Sequence, residues 1–390
     1  MYKFQDNTRT QLAMDEILGM DTQALEEELP GIEYLDSFEH STPFRDGIDA
    51  QIRKLGYAGA MDNTQGKINF ILEQFKKHQI DPISKPTLKN WLTASAPDDK
   101  GRENVYKLCF ALEMDARQTA EFFHKNYLTR PFNYKKTSEA VYFYCLLNGR
   151  SYADALRLIE FVNTQPKDNS IDRDIVTENL GIQISKIDSE EKLVAYLAAH
   201  CYEPEEQHRT VTEKIEELLR ECYAAAELEM SFRGNPCKVD SDDHLLDIIF
   251  DYDSAAMEKE KLTIKASRLP KALKANWPHR QLLFRIKNHD VSTEDVYRKA
   301  LELLSFYDYY ARAYAAERRK KGASVDLRGY ADEFETELDQ RLAECGYVQI
   351  YPRNPFDWLL LFCTCSHDPL DKFREVLAEY YLDEVDATEV

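Results

Sequence analysis

The sequence predicts an all-α protein built from two or three packed helical domains. Three observations lead there. Glycine and proline are scarce, 13 and 14 in 390 residues, so the chain lacks the punctuation that turn-rich β folds and Gly-loop α/β folds require. Apolar residues recur at spacings of three and four along most of its length, the period of a helix face. The chain also exceeds the size at which one core stops growing, and its 43% hydrophobic and 12% aromatic content is enough to fill several.

The elements follow in order. Residues 1–60 mix short helical patterns with breakers, Leu29-Pro30-Gly31 and the turn at Ser41-Thr42-Pro43, and read as an N-terminal arm or small helical subdomain. A module at 61–136 opens with a helix over Gly66 to Ile80, carrying Ile68, Ile71, Leu72 and Phe75 on one face and stopped by Asp81-Pro82. A short helix beginning near Pro86 places Leu88, Trp91 and Leu92 on one side. Arg102 to Leu112 and Ala116 to Tyr127 continue the pattern.

A helical domain over 137–233 starts with a pair, Ser138 to Asn148 and Ser151 to Asn163, joined at Gly149. Asp154, three residues after Ser151, forms a capping box with it. Glu203-Pro204 marks the start of a long amphipathic helix through Ile215, Leu218, Leu219, Cys222 and Tyr223. Gly234-Asn235-Pro236 and the acidic run Asp240 to Asp243 then separate a C-terminal helical domain, 234–390. There Ser292 and Asp295 cap a helix with Val296, Leu301, Leu303, Leu304 and Tyr307 in its stripe, ending in the basic run Arg318 to Lys321. Phe334 to Cys345 is another helix, Tyr347 to Tyr351 is extended, and Asn354-Pro355 caps a helix, Phe356 to Cys365, that is apolar almost all round.

Charge narrows the function. The net charge of −20 opposes general attraction to nucleic acid or anionic lipid. Its distribution is uneven, because residues 66–136 hold 13 Lys and Arg against 8 Asp and Glu, a balance of +5, which leaves −25 elsewhere. Met1 to Thr10 lacks the basic flank and apolar core of a secretion signal. The longest apolar stretch, Trp358 to Cys365, is far shorter than the roughly twenty residues that cross a bilayer, so no membrane association is expected. Eight cysteines without a C-x-x-C pair fit reduced thiols of the cytoplasm.

The segment Ser84 to Leu92, SKPTLKNWL, followed by Arg102 to Asp115, RENVYKLCFALEMD, resembles the end of a phage-repressor-type (Xre-like) helix-turn-helix domain. The resemblance covers about residues 66–130. It departs from that pattern in its long first helix and in lacking the compact Gln-x-x-Leu-Ala signature. It implies a recognition helix packed through Leu88 and Trp91, with Lys85, Thr87, Lys89 and Asn90 turned to a major groove and Lys100 and Arg102 completing a cationic face for duplex DNA.

Other constellations point elsewhere. The run Phe306 to Tyr314, FYDYYARAY, offers Tyr307, Tyr310, Arg312 and Tyr314 as a surface for a protein partner or self-association, with core packing as the equal alternative. Cys363-x-Cys365-x-His367 lacks the second ligand pair of a zinc site and reads as core cysteines. Asp242-Asp243-His244 reads as an acidic helix start. His200-Cys201 and His208 lie in no hydrolase signature, and no phosphate loop, dinucleotide fingerprint or H-E-x-x-H motif is present. No catalytic residue, metal or cofactor is expected. These readings describe a non-enzymatic DNA-binding regulator of bacterial or phage type with acidic partner-binding domains. The alternative is an acidic factor that inhibits a nucleic-acid-handling protein in a phage-conflict setting, and a third reading is a helical enzyme with an unfamiliar site.

Overall fold

The computed structural model describes residues 43–93, 96–97, 99–165, 177–200, 208–251, 273, 276–291, 293–318 and 327–381. Among the described residues there are sixteen α-helices and no strand. The chain divides into two compact units, Thr42–Thr210 with Ala343–Val348, and Val211–Leu342 with Gln349–Val390. The division falls at Thr210, whereas Gly234-Asn235-Pro236 is a turn inside the second unit.

The first unit begins with α1 (Pro43–Lys54), α2 (Thr64–Lys77) and α3 (Lys85–Thr93), each packed on the other two. Their apolar faces supply Phe44, Ile48 and Ile52, then Ile68, Ile71 and Phe75, then Leu88, Trp91 and Leu92, all buried. The rings of Phe44 and Trp91 meet edge to face at 5.4 Å. Next come α4 (Arg102–Ala111) and α5 (Ala116–Phe122), the latter opened by a capping box between Asp115 and Gln118 and continued by one π-helical turn, Phe123–Tyr127. Gly47 of α1 lies against that turn, where an added Cβ would stand 2.5 Å from the Asn126 Cγ, so only glycine permits the approach. Then follow α6 (Thr137–Leu147), α7 (Tyr152–Thr164), α8 (Thr177–Ser185) and α9 (Glu190–Ala199), with α6 packed on α7 and α8, and α7 on α9. The expected box at Ser151 is formed in both directions, each bond 3.1 Å.

Several helices of this unit stop without proline. After α2 the residue Gln79 turns left-handed (φ +55°), and the Ile80 N–H reaches back to the Phe75 carbonyl at 2.9 Å. After α4, Glu113 (φ +53°) and a bond from Met114 to Cys109 repeat the arrangement. These are Schellman closures, in which a buried apolar residue, here Ile80 and Met114, follows the left-handed position. Thus α2 ends before the expected Asp81-Pro82 stop. Glu113 also joins the two helix ends, accepting from the Lys77 Nζ at 2.5 Å and lying 2.9 Å from the His78 Nε2.

The second unit takes most of α10 (Arg209–Phe232), then α11 (Asp242–Phe250), α12 (Arg280–Lys287), α13 (Glu294–Arg318), most of α14 (Leu327–Glu344), α15 (Pro355–Thr364) and α16 (Pro369–Tyr381). Helix α13 is central, buried without a break from Val296 to Ala311 and packed on α12, α15 and α16. Helix α15 is buried from end to end, capped by Asn354 on the Phe356 N–H. Tyr347 to Tyr351 forms no strand; the Tyr351 N–H donates to the Asp357 carboxylate at the start of α15. Ser292 and the basic run from Arg319 onward lie outside the described residues, as does Glu203-Pro204.

One side chain closes the far end of this unit. Arg374 of α16 donates to both oxygens of the buried Glu229 at 2.8 and 3.2 Å, and to the Ile248 and Ile249 carbonyls at the end of α11 at 2.9 and 3.3 Å. The Tyr307 hydroxyl donates to Glu229 as well, at 2.8 Å. A buried carboxylate thereby finds both a cation and neutral donors, the condition under which an ion can be held away from water.

Candidate nucleic-acid interface

The exposed side of α3 follows directly from what its other side buries. Helical spacing turns Leu88, Trp91 and Leu92 inward, and Lys85, Pro86, Lys89, Asn90 and Thr93 are left in solvent. Ser84 starts the helix by accepting the Thr87 N–H at 3.2 Å, and its hydroxyl lies 2.7 Å from that of Thr87, which is only half exposed. The outer face therefore carries two ammonium groups one helical turn apart with an amide beside them. Lys100, in the 3₁₀ turn before α4, is exposed too.

Arg102 departs from the sequence expectation. It is 4% exposed, with its Nε and Nη2 on the two oxygens of Glu139 at 2.9 and 2.8 Å. Nη2 also donates to the Arg130 carbonyl at 2.7 Å, and the guanidinium lies 5.0 Å from the centre of the Phe123 ring. A guanidinium so enclosed cannot reach a base or phosphate, because its planar fork is already matched by a carboxylate. Burial alone would push the Glu139 carboxyl up; the charge and hydrogen bonds of Arg102, with Lys136 beside them, hold it well below the usual carboxylate range.

The local basic balance is reduced in the same way. Of the thirteen cations in 66–136, Lys67, Arg102, Arg130 and Lys135 are buried. Lys67 pairs with Asp49 at 3.0 Å, Lys135 donates to Thr210 at 2.7 Å, and the Arg130 guanidinium sits 5.3 Å from the Tyr347 ring centre. No acidic residue of the segment is buried among the described residues. The exposed cations of the segment are then Lys85, Lys89 and Lys100 on α3 and its flank, Lys76 and Lys77 at the end of α2, and Arg117 on α5. The connector between α2 and α3, from His78 to Ser84, is also longer than the three or four residues of a helix-turn-helix.

The tyrosine run of α13 is largely interior. Tyr307 is 0% exposed and bound to Glu229, and Tyr310 is buried among Phe306, Tyr309 and Phe334. Neither can contact a partner from there. Arg312 is exposed and paired with the buried Asp308 one turn back, while the side chain of Tyr314 lies outside the described residues. The aromatic repeat reflects a helix surrounded on every side, with hydroxyls directed to Glu229 and Glu333.

The remaining constellations are placed as follows. Cys363 and Cys365 are buried on α15 and its C-cap, with thiols pushed up by burial, Cys365 to about 11. His367 is exposed. Asp242 opens α11 and accepts from Tyr223 and, at 2.5 Å, from Lys287. His200 stacks on Tyr196 at 4.3 Å, while Cys201 lies outside the described residues. Among the described residues no group of three or more His, Cys, Asp and Glu is arranged to hold a metal, and no helix is long and apolar enough to cross a membrane. Comparison with protein-family models, with curated proteins and with solved structures finds no match for the chain.

Proposed function

We propose that the protein is a non-enzymatic regulator that docks on duplex DNA through the outer face of α3. The observation that carries this reading is the separation of its two sides, with Leu88, Trp91 and Leu92 packed and Lys85, Lys89 and Asn90 exposed. Lysine suits phosphate or guanine and asparagine suits adenine, so the face offers both attachment and readout. Lys85, Lys89 and Lys100 are the cations available to it, so the logarithm of affinity should fall with the logarithm of salt at a slope of about −2.7. That is shallow beside a protein with many phosphate contacts. Fluorescence anisotropy of the full chain on duplex DNA tests it: Lys85→Glu with Lys89→Glu should flatten the slope by about 1.8. An unchanged salt titration rejects the assignment.

A second reading rests on the four buried cations. With these removed from the surface, the 66–136 segment is nearly neutral outward, and the −25 of the remaining chain dominates. Such a protein would steer toward a basic protein surface, as an inhibitor of a nucleic-acid-handling protein does. Absence of DNA binding by the wild type at low salt favours this second reading.

A further inference from the structure

Helix α13 carries charges along a stretch that has no solvent to answer them. Arg298 places Nη1 2.6 Å from the Asp357 Oδ1 and Nη2 2.8 Å from Oδ2, a fork-to-fork pair. Asp357 also accepts the Tyr351 N–H at 2.6 Å. Glu302, one turn along from Arg298, brings its Oε1 to 2.6 Å from the same Nη1, yet neither of its carboxyl oxygens forms a hydrogen bond. Glu302 and Asp357 are both 0% exposed.

The charge count in this cluster is unequal. The one guanidinium is matched by Asp357. The next cation, Lys299, is taken by Asp295 at 3.1 Å. From α14, Asp339 accepts the Ile350 N–H at 2.8 Å and faces Arg298 and Asp357; burial raises its carboxyl to about 6. The groups facing Glu302 are Arg298, Lys299 and Asp295 on its own helix and Asp357 on α15. An ionised Glu302 would therefore be a surplus anion in a dry interior, short of donors, and a carboxyl in that position keeps its proton instead. Burial pushes Glu302 well above its usual range; Arg298 opposes the rise, and Asp357 and Asp295 add to it.

We propose that Glu302 is held as the neutral acid in the folded second unit, and that loss of its proton is a built-in release that loosens α13 from α15. The sign follows from linkage. A carboxyl whose pKa is raised by folding favours the folded state most at acidic pH, and that advantage disappears as pH climbs from the unfolded value, about 4.3, through the folded one. The unit is therefore held most firmly in acid, and its closure weakens as pH rises above the ordinary carboxylate range.

The test compares the full chain with Glu302→Gln, which keeps the size and stays uncharged at every pH. As pH rises above the unfolded value of about 4.3, the thermal midpoint of the wild type should fall relative to that of the variant, the gap widening until the folded carboxyl itself ionises. A constant gap overturns the proposal. Infrared spectroscopy gives a second readout: above the ordinary carboxylate range the wild type should show the carbonyl stretch of a protonated carboxyl that is missing from Glu302→Gln, the difference setting it apart from the other raised carboxyls, Asp308, Glu335, Asp339 and Asp368. Absence of that band also overturns it.

Discussion

Replacing Glu139 by Gln tests whether Arg102 belongs to the core or to a binding face. Glu139 accepts five hydrogen bonds in its buried position: two from Arg102, one from the Tyr106 hydroxyl at 2.8 Å, one from the Asn133 N–H at 2.9 Å and one from the Lys136 Nζ at 3.2 Å. An amide keeps the shape but removes the charge, and its NH₂ presents donors to a guanidinium that needs acceptors. Breaking a buried pair by removing one partner costs about 3–5 kcal/mol, since the other charge stays behind without compensation. Urea unfolding followed by circular dichroism and tryptophan fluorescence at neutral pH measures the loss. The direction with pH is fixed too: the stabilisation from Glu139, whose carboxyl is held low, is present above about pH 4.3 and is lost as pH falls below it. A loss under about 1 kcal/mol would refute the reasoning, because it would mean that Arg102 relaxes outward and satisfies itself in water.

Two further outcomes follow from the described geometry. Gln79→Gly should stabilise the first unit by about 1 kcal/mol, because glycine holds the left-handed conformation without the Cβ penalty, and the shift appears in the urea midpoint. Trp358→Ala should cost about 3–5 kcal/mol, since its ring is buried on α15 and stacked on Phe362 at 5.0 Å, and differential scanning calorimetry should show a lowered transition.

The helical class and most helix positions were legible because burial of one face leaves a spacing that the sequence displays. Leu88, Trp91 and Leu92 show it, and Asn354-Pro355 and Ser151 announce their helix starts by capping chemistry. The ends at Gln79 and Glu113 were not legible. The left-handed turn there is imposed on ordinary residues by Ile80 and Met114 packing inward, and no glycine marks it. Burial of Arg102, Arg130 and Lys135 was hidden for a related reason. A charge becomes interior only when a partner such as Glu139, remote in sequence, arrives opposite it, so counting cations by segment overstates the charge that reaches the surface. For the tyrosines of α13 the sequence left interface and core packing equally open, because a hydroxyl that would suit an interface serves equally to satisfy the interior Glu229.

The clasp of Arg374 on Glu229 also constrains the order in which the second unit can be assembled during synthesis. The two residues are 145 positions apart, so nearly the whole unit must leave the ribosome before Arg374 joins Arg233, which pairs with Glu229 from one turn away at 2.8 Å. Until then the Ile248 and Ile249 carbonyls at the end of α11 also lack the donors that Arg374 brings. Closure over so long a separation carries a loop-entropy cost before any contact repays it, which slows folding. The last helix of the unit thus completes a site whose other half was made early, and the second unit closes only when its C-terminal part arrives.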